Sequence, residues 1–353
     1  MKSPWVALGI LLTVQSAVAQ YTIREINACG GNAVDIGGLT DRGTLATSCF
    51  VESGDPSFPQ ALVPFIVDRS SVEELARIPG VLMMVPAGIN KHRQVIANQI
   101  YPGDYSRAFL FQSGESKDLG TLGGVWAEAK GLSNFGDVVG SSGAPDGLSH
   151  AFLYRKGAMR DLGTFGAGRC AAAAINGRGQ IVINRTFETN DQPVTVAAVY
   201  QGGALAEIES LASSYMVGAG INDRGNVVGI FLPADVVDWS NGVYPPYHAF
   251  FYHDGQMEDL HSQLGLPWIS SYVQSINDHD EIVVSSFLFA DAEATYGAFL
   301  YREGIIVDIA SLLPENSGWS IKTAECINNA GEIAGKGYYQ GNLRTYLLSP
   351  VKH

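Results

Sequence analysis

The stretch Ile221-Asn222-Asp223-Arg224-Gly225-Asn226-Val227-Val228-Gly229 holds a complete folding instruction in nine residues. An Asn side chain can bond the backbone two residues further on, and a Gly three positions after it accepts the positive φ that closes a hairpin. Val227 and Val228 are β-branched strand material, and Gly229 ends the run with no side chain. The segment therefore predicts the end of one strand, a tight turn and the start of a second strand.

The same order recurs seven times. It reads Leu39-Thr40-Asp41-Arg42-Gly43, Ile89-Asn90, Leu132-Ser133-Asn134-Phe135-Gly136, Ile175-Asn176, Ile221-Asn222, Ile276-Asn277 and Ile327-Asn328, with the leading apolar residues 43 to 55 positions apart. Each turn is followed by an apolar run, as in Ala108-Phe109-Leu110-Phe111, Ala151-Phe152-Leu153-Tyr154, Ala249-Phe250-Phe251-Tyr252 and Ala298-Phe299-Leu300-Tyr301. Weaker copies lie at 64–67, 197–200 and 345–348. An acidic residue before an aliphatic one then opens a last strand, at Asp118-Leu119, Asp161-Leu162 and Asp259-Leu260. Each unit thus predicts four short antiparallel strands. No stretch after residue 19 carries a helical stripe over three turns, and 72–77 reads as strand.

A four-stranded unit cannot bury both of its faces alone, so the units must stack. Their length matches radial blades better than solenoid coils. The expected fold is all-β, a seven-bladed β-propeller of four-stranded antiparallel blades. The small residues before the first turn (171–174, 217–220 and Ala324) mark the innermost strands, where blades converge on the axis. Arg24-Glu25-Ile26-Asn27-Ala28-Cys29-Gly30-Gly31 parallels Lys117-Asp118-Leu119-Gly120-Thr121-Leu122-Gly123-Gly124, and Ile26 precedes Leu39 by the same thirteen residues that separate Leu119 from Leu132. Residues 21–26 therefore predict an outer strand that joins the C-terminal blade, which otherwise stops after its third strand. That pairing closes the ring and removes its exposed edges.

Met1 and Lys2 open a short positive segment, residues 5–14 are apolar, and Ala17-Val18-Ala19 offers a small-residue cleavage site. Residues 1–19 read as a signal peptide and 20–353 as a single propeller domain, secreted or periplasmic, with no membrane span. The formal charge of −13, from 22 basic and 35 acidic residues, argues against nucleic acid and anionic membranes as partners. It permits bound Ca²⁺, but no calcium-loop pattern or other metal motif is present and no cofactor is implied. Four cysteines in an oxidising compartment allow three pairings, and Cys29 with Cys49, enclosing a short loop, is the favoured disulfide.

Zinc, serine-elbow and phosphate-loop signatures are absent. His150 and His248 fill the same repeat position, which points to a structural hydrogen bond rather than half of a catalytic pair. Positions where the copies disagree carry more information. Trp126, Glu128, Lys130, Tyr215, Tyr272, Gln274, Trp319 and Glu325 interrupt the small inner-strand pattern and are candidates to line a shared central mouth. Glu128 and Glu325 are the candidate carboxylates if the mouth is hydrolytic; the alternative is that Glu128 and Lys130 neutralise each other. Insertions at 187–193, 231–247 and 287–296 fall at one repeat position and so on one face. The 231–247 insertion brings Trp239, Tyr244 and Tyr247 as candidate contacts.

The sequences His150-Ala151-Phe152-Leu153-Tyr154, Met159-Arg160-Asp161-Leu162-Gly163-Thr164-Phe165-Gly166 and 221–229 resemble the HAF-repeat extracellular proteins of bacteria, named for the His-Ala-Phe triplet found at His150 and His248. Arg107-Ala108-Phe109 replaces the histidine, and the first repeat departs at Leu39-Thr40 and Pro64-Phe65. The resemblance implies secretion and repetition and brings no catalytic set. The function expected is a binding or interaction module for an extracellular carbohydrate, peptide or surface protein. The alternative is a polysaccharide hydrolase or lyase acting through carboxylates near the central mouth.

Overall fold

The repeated turns form as their residue types require. Asn222 Oδ1 accepts from the backbone N–H of Arg224 at 3.1 Å and of Asn226 at 3.0 Å, and the same pair of bonds recurs at Asn90, Asn176, Asn277 and Asn328. The third position after each Asn has positive φ, carried by Gly at 225 and by Arg93 and Asp280 where glycine is missing. Hairpins between third and fourth strands close on pairs such as Lys156-Gly157, both with positive φ, which matches the twist of the strands they join.

The computed structural model describes residues 20–28, 33–56, 58–100, 106–189, 192–209, 213–234, 246–265, 268–290 and 293–351. Residues 1–19, read as a signal peptide, lie outside them. Strand β1 (Tyr21–Glu25) precedes β2 (Ala33–Leu39), β3 (Leu45–Asp55), β4 (Phe58–Val67) and β5 (Val72–Glu74), and these last four form one antiparallel sheet. The second sheet is β6 (Met84–Ile89), β7 (Val95–Gln99), β8 (Arg107–Gln112) and β9 (Glu115–Asp118). Next come β10 (Ala127–Leu132), β11 (Val138–Gly143), β12 (Ser149–Arg155) and β13 (Ala158–Gly163), then β14 (Arg169–Ile175), β15 (Ile181–Phe187), β16 (Val194–Gln201) and β17 (Ala204–Glu207). A further sheet holds β18 (Met216–Ile221), β19 (Val227–Phe231), β20 (His248–His253) and β21 (Gln256–Asp259). Another holds β22 (Ser270–Ile276), β23 (Ile282–Ala290), β24 (Glu293–Arg302) and β25 (Ile305–Asp308). The last three strands are β26 (Trp319–Ile327), β27 (Ile333–Tyr339) and β28 (Asn342–Pro350).

The expectation of seven separate four-stranded blades is corrected by the strand pairing. The described residues form a β-propeller of five four-stranded blades and one eight-stranded sheet. The eight strands β10–β17 hold two copies of the repeat, fused where Ser149 of β12 pairs in parallel with Arg169 of β14. Ser149 Oγ reinforces the junction by donating to the Cys170 carbonyl at 3.1 Å. Comparable approaches elsewhere, Leu62 to Met83 and Thr195 to Tyr215, remain isolated bridges and leave their sheets separate.

At the chain ends β1 pairs antiparallel with β28, from Tyr21 opposite Pro350 to Glu25 opposite Tyr346. One buried cluster there combines Leu45 and Phe65 of the first sheet with Ala334 and Leu347 of the last. The hydrophobic layer between neighbouring sheets therefore continues across the junction of the two termini.

Gly140, Gly229 and Gly335 occupy equivalent second-strand positions. A Cβ at Gly140 would lie 2.0 Å from the Glu128 carbonyl and 2.9 Å from Phe152, with Val217 and Phe250, or Thr323 and Tyr346, in the same places at the other two. An inner-strand carbonyl on one side and the third-strand aromatic on the other leave no room for a side chain.

No disulfide joins two described residues, but Cys49, one half of the expected pair, is disulfide-bonded. Cys170 and Cys326 are free thiols on strands of different sheets, and burial pushes them up to about 11 and about 12. Cys29 lies outside the described residues.

Candidate functional site: the axial cavity

The inner strands β2, β6, β10, β14, β18, β22 and β26 surround a cavity of about 840 Å³. Their small residues set its width: Gly37, Gly88, Ala173, Ala219 and Gly220 bring backbone up to the cavity wall. Second-strand side chains hold neighbouring inner strands in place. Asn98 both donates to the Ala129 carbonyl and accepts from its N–H at 2.8 Å, and Asn184 does the same with Gly218 at 2.9 Å. Ser285 repeats the clamp on Ala324 at 3.0 Å. Each bond satisfies inner-strand backbone that the bulges in β10, β18 and β26 release from their own ladders.

The leading apolar residues of the seven turns line both this cavity and a narrower one of about 200 Å³ beyond it. They form an aliphatic constriction along the axis. The narrow side is walled by the turn residues, and there the Asn side chains bridge successive repeats. Asn90 donates to the Ser133 carbonyl, Asn176 to Asn222, Asn222 to Asn277, Asn277 to Asn328 and Asn328 to Thr40, all between 2.8 and 3.0 Å.

Of the residues singled out by sequence, Lys130, Tyr272, Gln274 and Glu325 line the wide cavity. Glu128 stands on the same face of β10 as Lys130, whose Nζ donates to it at 3.0 Å. Glu325 accepts from Thr323 Oγ1 at 2.9 Å and lies 3.7 Å from Lys336 Nζ. Tyr215 and Tyr247 form an aromatic run that reaches Tyr272, with ring centroids 5.3 and 6.1 Å apart in turn, and Tyr272 stacks on Phe287 at 5.8 Å. Burial raises the phenols of Tyr215 and Tyr247 above their usual range.

Two candidates serve the scaffold instead. Trp319 stacks on Tyr339 at 5.0 Å and meets Tyr346 edge-on, while Trp126 packs over Gly143. Trp239 and Tyr244 lie outside the described residues. Lys336 and Asn184 were not foreseen from sequence, although both occupy the second-strand position that Asn98 and Ser285 fill in other copies.

The triplet histidines pair with the acidic residue that opens the fourth strand. His150 Nδ1 lies 2.9 Å from Asp161, and His248 Nδ1 lies 2.9 Å from Asp259; Arg107 reaches Asp118 at 2.6 Å in the same way. Burial works against a charged His150, but hydrogen bonds to Asp161 and Asp146 outweigh it and raise its pKa. His261 stacks on His248 with centroids 4.0 Å apart, and burial together with the His248 charge pulls it down to about 4.

Among the described residues no group of three or more His, Cys, Asp or Glu is placed to hold a metal ion, and no helix is long and apolar enough to cross a membrane.

No family model matches the chain, and no curated protein matches it. Solved structures do. The β-propeller domain of the Trilobed protease from Pyrococcus furiosus, which has an open velcro topology, aligns with a TM-score of 0.58 at 10% identity, over 91% of this chain and 97% of that one. The acylaminoacyl peptidase of Pyrococcus horikoshii aligns at 0.55 and 10% identity, over 91% of this chain but 52% of that one. A polysaccharide lyase of the PL25 ulvan lyase family aligns at 0.53 and 9% identity, over 92% and 96%. At such identities the likeness is one of fold. The pairing of β1 with β28 sets this ring apart from the open arrangement of the first.

Proposed function

We propose that the protein is a secreted or periplasmic binding module whose wide axial cavity receives part of an extracellular carbohydrate, peptide or surface protein. The observation that carries this reading is the convergence of Lys130, Gln274, Glu325 and Tyr272 on one cavity of about 840 Å³, whose wall is otherwise mostly aliphatic side chains and small residues. A few polar groups and an aromatic in a concave space of that size are what a small-molecule or chain-end site needs. The aromatic run from Tyr272 to Tyr215 extends the contact surface beyond the cavity. Reading residues 1–19 as an export signal supports the location. The repeated His-to-Asp pairs support reading the chain as a HAF-repeat protein.

The hydrolase or lyase reading has less support. Glu325 lines the cavity whereas Glu128 does not, and each carboxylate sits beside a lysine ammonium. A glycan and peptide array, followed by a turnover assay on each hit, tests both readings. Binding without turnover supports the module. Turnover lost in both Glu128→Gln and Glu325→Gln would support the enzyme instead.

A further inference from the structure

A further cavity, of about 450 Å³, lies beside the narrow end of the axis, between the turns that follow β2 and β6. Its lining differs in charge from the rest of the molecule. Arg42, Arg69, Lys91 and Arg93 converge there with His92, in a chain whose formal charge is −13. The single carboxylate in the lining is Asp68.

The pocket occurs where the repeat is interrupted. At five of the seven seams an Asn of one turn donates to the carbonyl of the next, but Thr40, like Ser133, has no amide with which to reach the turn that follows it. Among the described hydrogen bonds none joins these two turns, whereas Asn328 closes the preceding seam onto Thr40. The unbridged seam lies beside this space, and Arg42, Arg69, Lys91 and Arg93 line it with cations.

Asp68 does not oppose this character as a free carboxylate would. Its oxygens accept from Thr44 Oγ1 at 2.6 Å, Arg93 Nη1 at 2.5 Å and Ser71 Oγ at 3.2 Å. Burial acts against its charge, but the bonds from Thr44, Arg93 and Ser71 prevail and keep its pKa below the usual carboxylate range. The carboxylate thereby anchors Arg93, which a second bond to Glu73 at 2.7 Å also orients. Arg69 reaches Glu332 at 3.3 Å. Arg42 and Lys91 are exposed and take part in none of the described ion pairs; Lys91 Nζ rests 5.9 Å from the Phe135 ring centroid. Two cations are thus held by carboxylates and two remain to be neutralised, with Ser70 on the rim supplying a hydroxyl.

We propose that this pocket is a binding site for a tetrahedral oxyanion, a phosphate or sulfate group, distinct from the axial cavity. Two uncompensated cations match a doubly charged oxyanion, and guanidinium groups present the planar donor forks that phosphate and sulfate oxygens accept. The site is independent of whatever the axial cavity takes.

Titration calorimetry of the full chain with inorganic phosphate and, separately, inorganic sulfate tests the proposal at constant ionic strength in chloride. Saturable one-site binding of at least one anion is expected, and the tighter of the two identifies which ester the site takes. The exposed double variant Arg42→Gln/Lys91→Gln should weaken that binding at least tenfold, whereas Arg178→Gln, at the corresponding exposed turn position of another repeat, should leave it unchanged. Independently of any variant, the tighter anion should raise the wild-type melting temperature above that in matched chloride. Failure of both anions to saturate overturns the proposal, as does equal weakening by Arg178→Gln or undiminished affinity in the double variant.

Discussion

Asn328 Nδ2 donates to the carbonyl oxygen of Thr40 at 2.8 Å, across 288 residues of chain. The bond belongs to the series that links successive turns around the axis, and it crosses the junction between the last sheet and the first. The same amide donates to Glu332 at 3.0 Å, and its oxygen accepts from the N–H groups of Ala330 and Glu332. Replacing Asn328 by Ala strands several buried polar groups at once, at about 2 to 3 kcal/mol. Urea denaturation should show that loss. A variant within experimental error of wild type would mean the bond is incidental.

Ring closure can be probed through Tyr21. The side chain is 1% exposed and its hydroxyl accepts from Arg302 Nη2 at 2.9 Å, so it joins β1 to the neighbouring sheet as well as to β28. Tyr21→Ala should lower stability by about 3 to 5 kcal/mol. Hydrogen exchange should speed up in β26–β28 and in β23–β24, because the buried cluster around Tyr21 draws on both sheets. Faster exchange confined to β1 would contradict the closure.

Gly140 sits between the Glu128 carbonyl and the Phe152 ring, with room for neither a methyl group nor easy relaxation. Gly140→Ala should cost about 1 to 3 kcal/mol through overpacking. Thermal melts of the equivalent Gly229→Ala and Gly335→Ala variants should shift by similar amounts. An alanine tolerated at all three positions would show that the inner strand moves freely.

His261 gives a pH dependence of definite sign. Its folded pKa of about 4 lies below the unfolded value of 6.5, so the unfolded chain binds the proton more readily. Stability contributed by the neutral imidazole is complete above 6.5 and is lost as pH falls from 6.5 toward 4. Partial solvent access reduces the effect to on the order of 2 kcal/mol. His150, with a raised pKa, contributes in the opposite sense, so the comparison must be between wild type and His261→Gln. The stability difference between them should change across that window; parallel curves would mean His261 titrates normally.

The repeat was legible because its turns have few chemical solutions. Asn followed by a residue tolerant of positive φ forced the hairpins, and the thirteen-residue match between Ile26–Leu39 and Leu119–Leu132 located the strand that pairs with β28. The junction of Ser149 with Arg169 was not legible. It depends on how closely one third strand approaches the next first strand, a distance no residue pattern encodes. For the cavity, interruptions of the small inner-strand pattern pointed to Lys130, Tyr272, Gln274 and Glu325. The same rule also selected Trp126 and Trp319, whose rings lie over the scaffold, because alternation along a strand weakens near bulges and strand ends. The basic pocket was missed because Arg42, Arg69 and Lys91 are exposed turn residues far apart in sequence.

The axial cavity is the centre of the functional account, and its most direct test is affinity. The strongest hit from a glycan and peptide array should be titrated into wild type, Lys130→Ala and Tyr272→Ala. Both variants should retain their fold and bind at least tenfold more weakly, a loss of about 1.4 kcal/mol or more. Wild-type affinity in both would place the binding surface elsewhere and contradict the account.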